Sequence, residues 1–176
     1  FDHNLVLSPH IGDLFSLEAE QYFIDTLATF ERLYQFSAKH LVSDQHPDYA
    51  STIWALAQKD ALVIHCTQVQ HHYAHILSVM AVNQTSDKVL GFSFDGTGLG
   101  DGRQLWGGEA MIADVSGYQR VAHLSPMALI GGEQAIKDPR RIMLALLFEH
   151  YSPEDLKRSP LKALSELPTS LIGNLH

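Results

Sequence analysis

Residues 70–75 read Gln-His-His-Tyr-Ala-His and place three imidazoles in six positions. On a helix, residues four apart share a face with Cβ atoms about 5–6 Å apart, so His71 and His75 can reach one ion while His72 points elsewhere, toward solvent or another contact. The residues between the pair are His72, Tyr73 and Ala74. No glutamate general base lies between the histidines, and the hydrolytic metalloprotease reading falls. With eleven histidines in the chain, a single His-x-x-x-His pair discriminates little by itself, and histidines without a ligand remain the competing reading. Position favours the metal. The pair follows the apolar run Ala-Leu-Val-Ile-His-Cys at 61–66, and α/β proteins bind ligands where strands end. Asp95 ends the next such run, Val-Leu-Gly-Phe-Ser-Phe at 89–94, and can complete a two-histidine, one-carboxylate set of the kind that holds iron or zinc.

Asp95 also opens Asp-Gly-Thr-Gly-Leu-Gly-Asp-Gly, with four glycines in eight residues. Glycine N–H groups in a turn can cradle phosphate oxygens, and Thr97 adds a hydroxyl donor, which makes Gly96, Thr97, Gly98 and Gly100 candidates for nucleotide phosphates. Asp95 and Asp101 would repel a bare phosphate and make sense with a divalent cation, including magnesium, beside it. The stretch is neither a Walker loop nor a dinucleotide fingerprint, and a plain hairpin tip is the alternative. Glu109, after the glycine pair 107–108, is the one fair candidate for a carboxylate base nearby. Cys66 lies in an apolar strand and is expected to be buried and inert.

These side chains need a scaffold. Leu5–Leu7 reads as a short strand. Ser16 caps a helix to about Ala38, with Phe23, Leu27, Phe30 and Tyr34 as its apolar stripe. Leu41–Val42 reads as a very short strand, Ser51–Lys59 as a helix, 61–66 as a strand, and a helix runs from about His71 to Val82. Strand 89–94, a Gly-rich hairpin, a strand through Trp106 to Val115, a turn at Gly117 and a further strand make an antiparallel middle. Asp138-Pro139 starts one more helix, and Ser152-Pro153 another with Asp155 closing a capping box. The fold expected is α/β, with a mixed sheet and flanking helices.

The chain has 176 residues and a formal net charge of -8, with 12 Lys and Arg against 20 Asp and Glu. Its basic residues gather only in pairs such as Arg140-Arg141, so nonspecific nucleic-acid binding is not expected. No apolar run is long enough to span a bilayer. The single cysteine excludes an internal disulfide and suits a reducing, cytoplasmic setting. The opening Phe-Asp-His-Asn-Leu-Val-Leu and the closing Leu-Pro-Thr-Ser-Leu-Ile-Gly-Asn-Leu-His both read as cut from something longer.

Six blocks in order, SPHIGDL, HPDY, VQHHYAHILSVMA, FDGTGLGDG, LWGGE and RVAHLSPM, resemble the hydrogenase-maturation carbamoyltransferases, over nearly the whole chain. The likeness falls in that family's C-terminal region, related to the tRNA-threonylcarbamoyl transferases and the O-carbamoyltransferases. It implies one lobe of an actin-like, sugar-kinase-like and ribonuclease H-like ATPase fold, with 1–176 as a partial domain of a longer protein. It implies ATP and carbamoyl phosphate as substrates, carbamoyladenylate as intermediate, and the C-terminal cysteine of a partner maturation protein as acceptor. The product would supply the cyanide ligands of the nickel–iron centre. By the same resemblance His71, His75 and Asp95 are ligands of an iron or zinc ion beside the nucleotide, and the Asp-Gly stretch is the first phosphate loop. A further aspartate ligand from a second lobe has no counterpart in this chain, so half a metal site and no turnover by the isolated piece are expected. Two rival classes are a metal-dependent phosphohydrolase or kinase of the same fold, using Glu109 as base, and a noncatalytic domain that docks a partner.

Overall fold

In the computed structural model, residues 5–62, 64–158 and 160 are described, and they form two compact units, Phe1–Ala122 and His123–His176. In the first unit, helix α1 (Leu17–Tyr34) is followed by strand β1 (His40–Asp44), helix α2 (Ala50–Leu62), strand β2 (His65–Val69) and helix α3 (His71–Val82). Strands β3 (Val89–Leu99), β4 (Leu105–Asp114) and β5 (Gly117–His123) complete it. Parallel and antiparallel pairing are both present but lie in separate sheets: β1 and β2 form a parallel pair, and β3, β4 and β5 an antiparallel sheet in that order. The second unit holds α4 (Glu133–Lys137), α5 (Pro139–Phe148) and α6 (Pro153–Lys157).

Several elements start where local chemistry says they should. Ser16 caps α1 by accepting from the Ala19 N–H at 3.2 Å. Asp138 caps α5 through the Arg140 N–H, and Ser152 with Asp155 makes the capping box of α6. The second unit closes on Ile130, Leu144, Ala145 and Leu156.

Several expectations change. Helix α1 ends at Tyr34, four residues before the expected Ala38, where Gln35 adopts a left-handed φ of 51°. Residues 5–7 form no strand, and Leu5 and Leu7 are largely exposed. An apolar run becomes a strand only when another strand pairs with it, and none does here. The expected strand at 61–66 is displaced. Helix α2 continues to Leu62, and β2 begins at His65 because its register is set by β1, with His40 opposite His65 and Asp44 opposite Val69. Cys66 is consequently only half-buried. Strand β3 runs five residues past Phe94, through the glycines to Leu99, and the reversal falls at 100–104. The closing decapeptide lies outside the described residues.

The inner face of the antiparallel sheet meets α3. Tyr73, Ile76, Met80, Trp106, Met111 and Ala113 form one buried cluster. The fit is close at Gly91, where a Cβ would fall 2.7 Å from Ile76 side-chain atoms. The absent side chain lets the helix seat directly on β3.

Candidate functional site

The parallel pair sets the site. Strand β2 ends at Val69, and Gln70 immediately caps α3, accepting from the Tyr73 N–H at 2.8 Å. His71, the first residue of the helix, therefore stands at the carboxyl end of the strand pair, beside Asp44 at the end of β1. There its Nδ1 lies 2.6 Å from Asp44 Oδ2. Its Nε2, on the other side of the ring, lies 2.8 Å from Asp95 Oδ2.

Asp95 reaches the ring through an irregularity in β3. Phe94 pairs with Gly108 and Gly98 with Trp106, so Asp95, Gly96 and Thr97 face the single residue Gly107. Such a bulge bends the strand and re-aims a side chain. His75 comes from the next turn of α3, its ring centroid 4.9 Å from that of His71. One donor atom each from His71, His75 and Asp95 lie within 4.8 Å of one another. The three ligand candidates named from sequence are thus brought together.

The set fits a divalent ion. Two imidazole nitrogens and a carboxylate are the donors that iron and zinc take. Asp95 Oδ2 is buried and, although close to His71 Nε2, is not aligned for a hydrogen bond with any described residue. Donors bound to one ion at about 2.0–2.2 Å lie within about 4.4 Å of each other. His75 is exposed, and the three donor atoms already lie within 4.8 Å of one another, close to that range.

Three neighbours escaped the sequence reading. Asp44 is one, since a loop-edge aspartate 27 residues before His71 carries no local signal. Tyr49 is another. Its ring stacks on His46 at 4.2 Å, and burial, then the carboxylates of Asp44 and Asp95, push its hydroxyl pKa up. The third is His72, expected to point to solvent or another contact and found wholly buried. The Gln70 amide assigns its tautomer. Gln70 Oε1 accepts from Tyr73, so Nε2 donates to Leu99 O and to His72 Nδ1 at 3.1 Å, which leaves the His72 proton on Nε2. Burial, then the nearby His71, holds the His72 pKa below its ordinary value.

The glycines divide in role. A Cβ on Gly98 would fall 2.7 Å from the rings of His71 and His72, and one on Gly100 would fall 2.3 Å from the Trp106 ring. Both are seats for aromatic rings, and the Gly100 N–H donates to Gln104 O. Gly96 is open, with its N–H turned to Asp95 Oδ1, and Thr97 is half-buried. Asp101 accepts from the Tyr118 hydroxyl at 2.8 Å. Glu109 is 3 % exposed and held by Arg120 at 2.6 and 3.0 Å, with the guanidinium carbon 4.0 Å above the Trp106 ring. A carboxylate committed to a part-buried ion pair is not a free base, which removes the residue on which the kinase or phosphohydrolase reading relied.

The sequence pattern of the HypF Kae1-like domain matches residues 1–82, and that described as "Carbamoyltransferase, Kae1-like Domain, second subdomain" matches 91–172. The carbamoyltransferase HypF of Synechocystis sp. is 45% identical over 149 residues, which is 84% of this chain and 19% of that protein. Full-length HypF crystallised in a phosphate- and nucleotide-bound form superposes with a TM-score of 0.75 at 32% identity, over 94% of this chain and 26% of the other. HypF of T. kodakarensis gives 0.74 at 33%, over 86% and 20%. The chain therefore spans about a fifth of the length of the curated relative it matches. The α/β architecture expected from sequence is present, and it is the Kae1-like, actin-like ATPase fold of these neighbours. The chain belongs to the HypF carbamoyltransferase family and carries its Kae1-like region.

Proposed function

We propose that this chain is part of an enzyme that uses ATP and carbamoyl phosphate to form carbamoyladenylate and passes the carbamoyl group to a cysteine thiolate. The acceptor is the C-terminal cysteine of a partner hydrogenase-maturation protein, and the thiocarbamate is the source of cyanide ligands. The observation that carries the reading is the convergence of His71, His75 and Asp95 at the end of the parallel strands. Support comes also from the relatives, which are named carbamoyltransferases, and from a neighbour solved with phosphate and nucleotide bound.

His71, His75 and Asp95 would hold an iron or zinc ion, which when bound supplies Lewis acidity toward carbonyl and phosphate oxygens. In the transfer the thiolate sulfur forms a bond to the carbamoyl carbon, the bond from that carbon to the phosphate oxygen breaks, and AMP leaves with the electron pair. Thr97 offers a hydroxyl donor, and the Gly96 backbone lies open to close approach of a phosphate. Gly98 and Gly100 serve that site chiefly by letting the rings of His71, His72 and Trp106 pack behind it.

The test is carbamoyl transfer and metal content in the full-length enzyme carrying His75→Ala, beside metal content in this chain alone. Loss of the metal with loss of transfer is expected. Full metal occupancy and wild-type transfer in the variant would refute the assignment. The chain alone is expected to bind metal without turnover, and ATP-dependent carbamoyl transfer by it would overturn that part.

A further inference from the structure

The geometry points to Asp44 as the positioning residue of this site: we infer that its carboxylate holds the His71 ring by Nδ1 and so presents Nε2 toward Asp95 and His75. The inference rests on the metal-site reading for its consequence, but the ring-holding contact is independent of any ion.

Asp44 is itself fixed from several sides. It is the last residue of β1, paired with Val69. Its backbone carbonyl accepts from the hydroxyl of Thr52, which is wholly buried, and from the Gln68 side-chain amide, both at 3.2 Å. One carboxylate oxygen, Oδ1, accepts from the His46 N–H at 2.7 Å. The other, Oδ2, meets His71 Nδ1 at 2.6 Å. The carboxylate thus has no freedom to follow the ring, and the ring must follow it.

The imidazole is constrained on its remaining edges. Gly98 lies against Cδ2, where a Cβ would fall at 2.7 Å, and Asp95 Oδ2 lies 2.8 Å from Nε2. An imidazole can ligate through either nitrogen, and a carboxylate on one of them decides which is used and raises the basicity of the other. Asp44 sits on the Nδ1 side and is not a member of the three-residue donor set, so its part is orientation and not ligation. His75, four residues on and exposed, has no hydrogen bond to its ring among the described residues, so the pair would be one pre-set ligand and one adjustable ligand.

The experiment is zinc affinity of this chain by competition with a chromophoric chelator, with the cobalt(II) ligand-field spectrum as a second readout, for wild type, Asp44→Ala, Asp44→Asn and His75→Ala. Asp44→Ala is expected to weaken zinc by about 10–100-fold and to change the cobalt spectrum. Asp44→Asn keeps one acceptor oxygen for the two N–H groups that the carboxylate serves, on His46 and on His71 Nδ1, so it should recover only part of the affinity. If Asp44→Ala does not fold, Asp44→Ser, whose single hydroxyl on a shorter side chain replaces the two carboxylate oxygens, takes its place. Wild-type affinity in the Asp44 variants alongside a weakened His75→Ala would overturn the role of Asp44 and leave the metal site standing. If wild type binds neither ion, the metal reading fails, and crystal structures of wild type and Asp44→Ala decide the orientation. A turned ring then supports it, and an unmoved ring overturns it.

Discussion

Two faces of α3 meet two different environments. At the end of the parallel strands, His71 is held between Asp44 and Asp95, and its side chain, like theirs, keeps about a fifth of its exposure, at 23%, 17% and 28%. Along the antiparallel sheet, Tyr73, Ile76 and Met80 of the same helix are sealed against Met111 and Trp106. One region holds polar groups convergent and reachable, and the other excludes water by close packing. The adjacent histidines show how sharp the boundary is. His71 stands in the site, whereas His72 is wholly buried with its Nδ1 on Gln70. Consecutive helix residues point about 100° apart, so a single helix can carry a ligand face and a core face at once.

The division predicts that damage to the two regions separates into different observables. The largest effect on stability is expected from Met111→Ala, at a fully buried site. A cost of about 2–5 kcal/mol in chemical denaturation is expected. A cost below about 1 kcal/mol would mean that the core beneath α3 collapses around the gap. Gly91→Ala comes next. Its new methyl must displace Ile76, and a loss of about 1–3 kcal/mol is expected, with zinc affinity of the native protein little changed. Matched losses of stability and zinc affinity in that variant would show that the two regions are one cooperative unit. His75→Ala is the converse. The residue is exposed, so stability should move by no more than about 0.5 kcal/mol while zinc affinity falls severely.

The smallest effect is a pH dependence. Burial, then the hydrogen bond to Asp101, pushes the Tyr118 pKa from 10.0 up to about 12. The folded chain then retains a proton that the unfolded chain gives up first. The stability this contributes is complete below pH 10.0 and is lost as pH rises toward about 12. Tyr118→Phe should flatten that decline in denaturation curves, and an unchanged alkaline slope would assign it to other groups.

Most helices were readable because their signals are local. Ser16, Asp138, Ser152 and Asp155 cap the helices they precede or begin, and each acts within three residues of itself. The convergence of His71, His75 and Asp95 was readable for a related reason: His-x-x-x-His is a spacing on one helix, and Asp95 follows a strand of clear composition. Boundaries failed where pairing decided them. Leu5–Leu7 has the composition of a strand and no partner, while β2 slid four residues to match β1. Glu109 looked available because sequence does not show that Arg120, eleven residues on, folds over it. The glycines of 95–102 read as one loop, but Gly98 and Gly100 are fixed by rings that approach them from α3 and β4.

By itself, the sequence determined the donor types, their order along the chain, the helix that carries two of them and the family to which the blocks belong. Only the tertiary structure decided that Asp44 takes His71 Nδ1, that the β3 bulge turns Asp95 toward Nε2, that His72 is buried, and that Glu109 pairs with Arg120. Capping and helical spacing act over a few residues and are written in adjacent letters. Strand register, bulge position and the pairing of charges across 11 to 27 residues depend on which surfaces fold together.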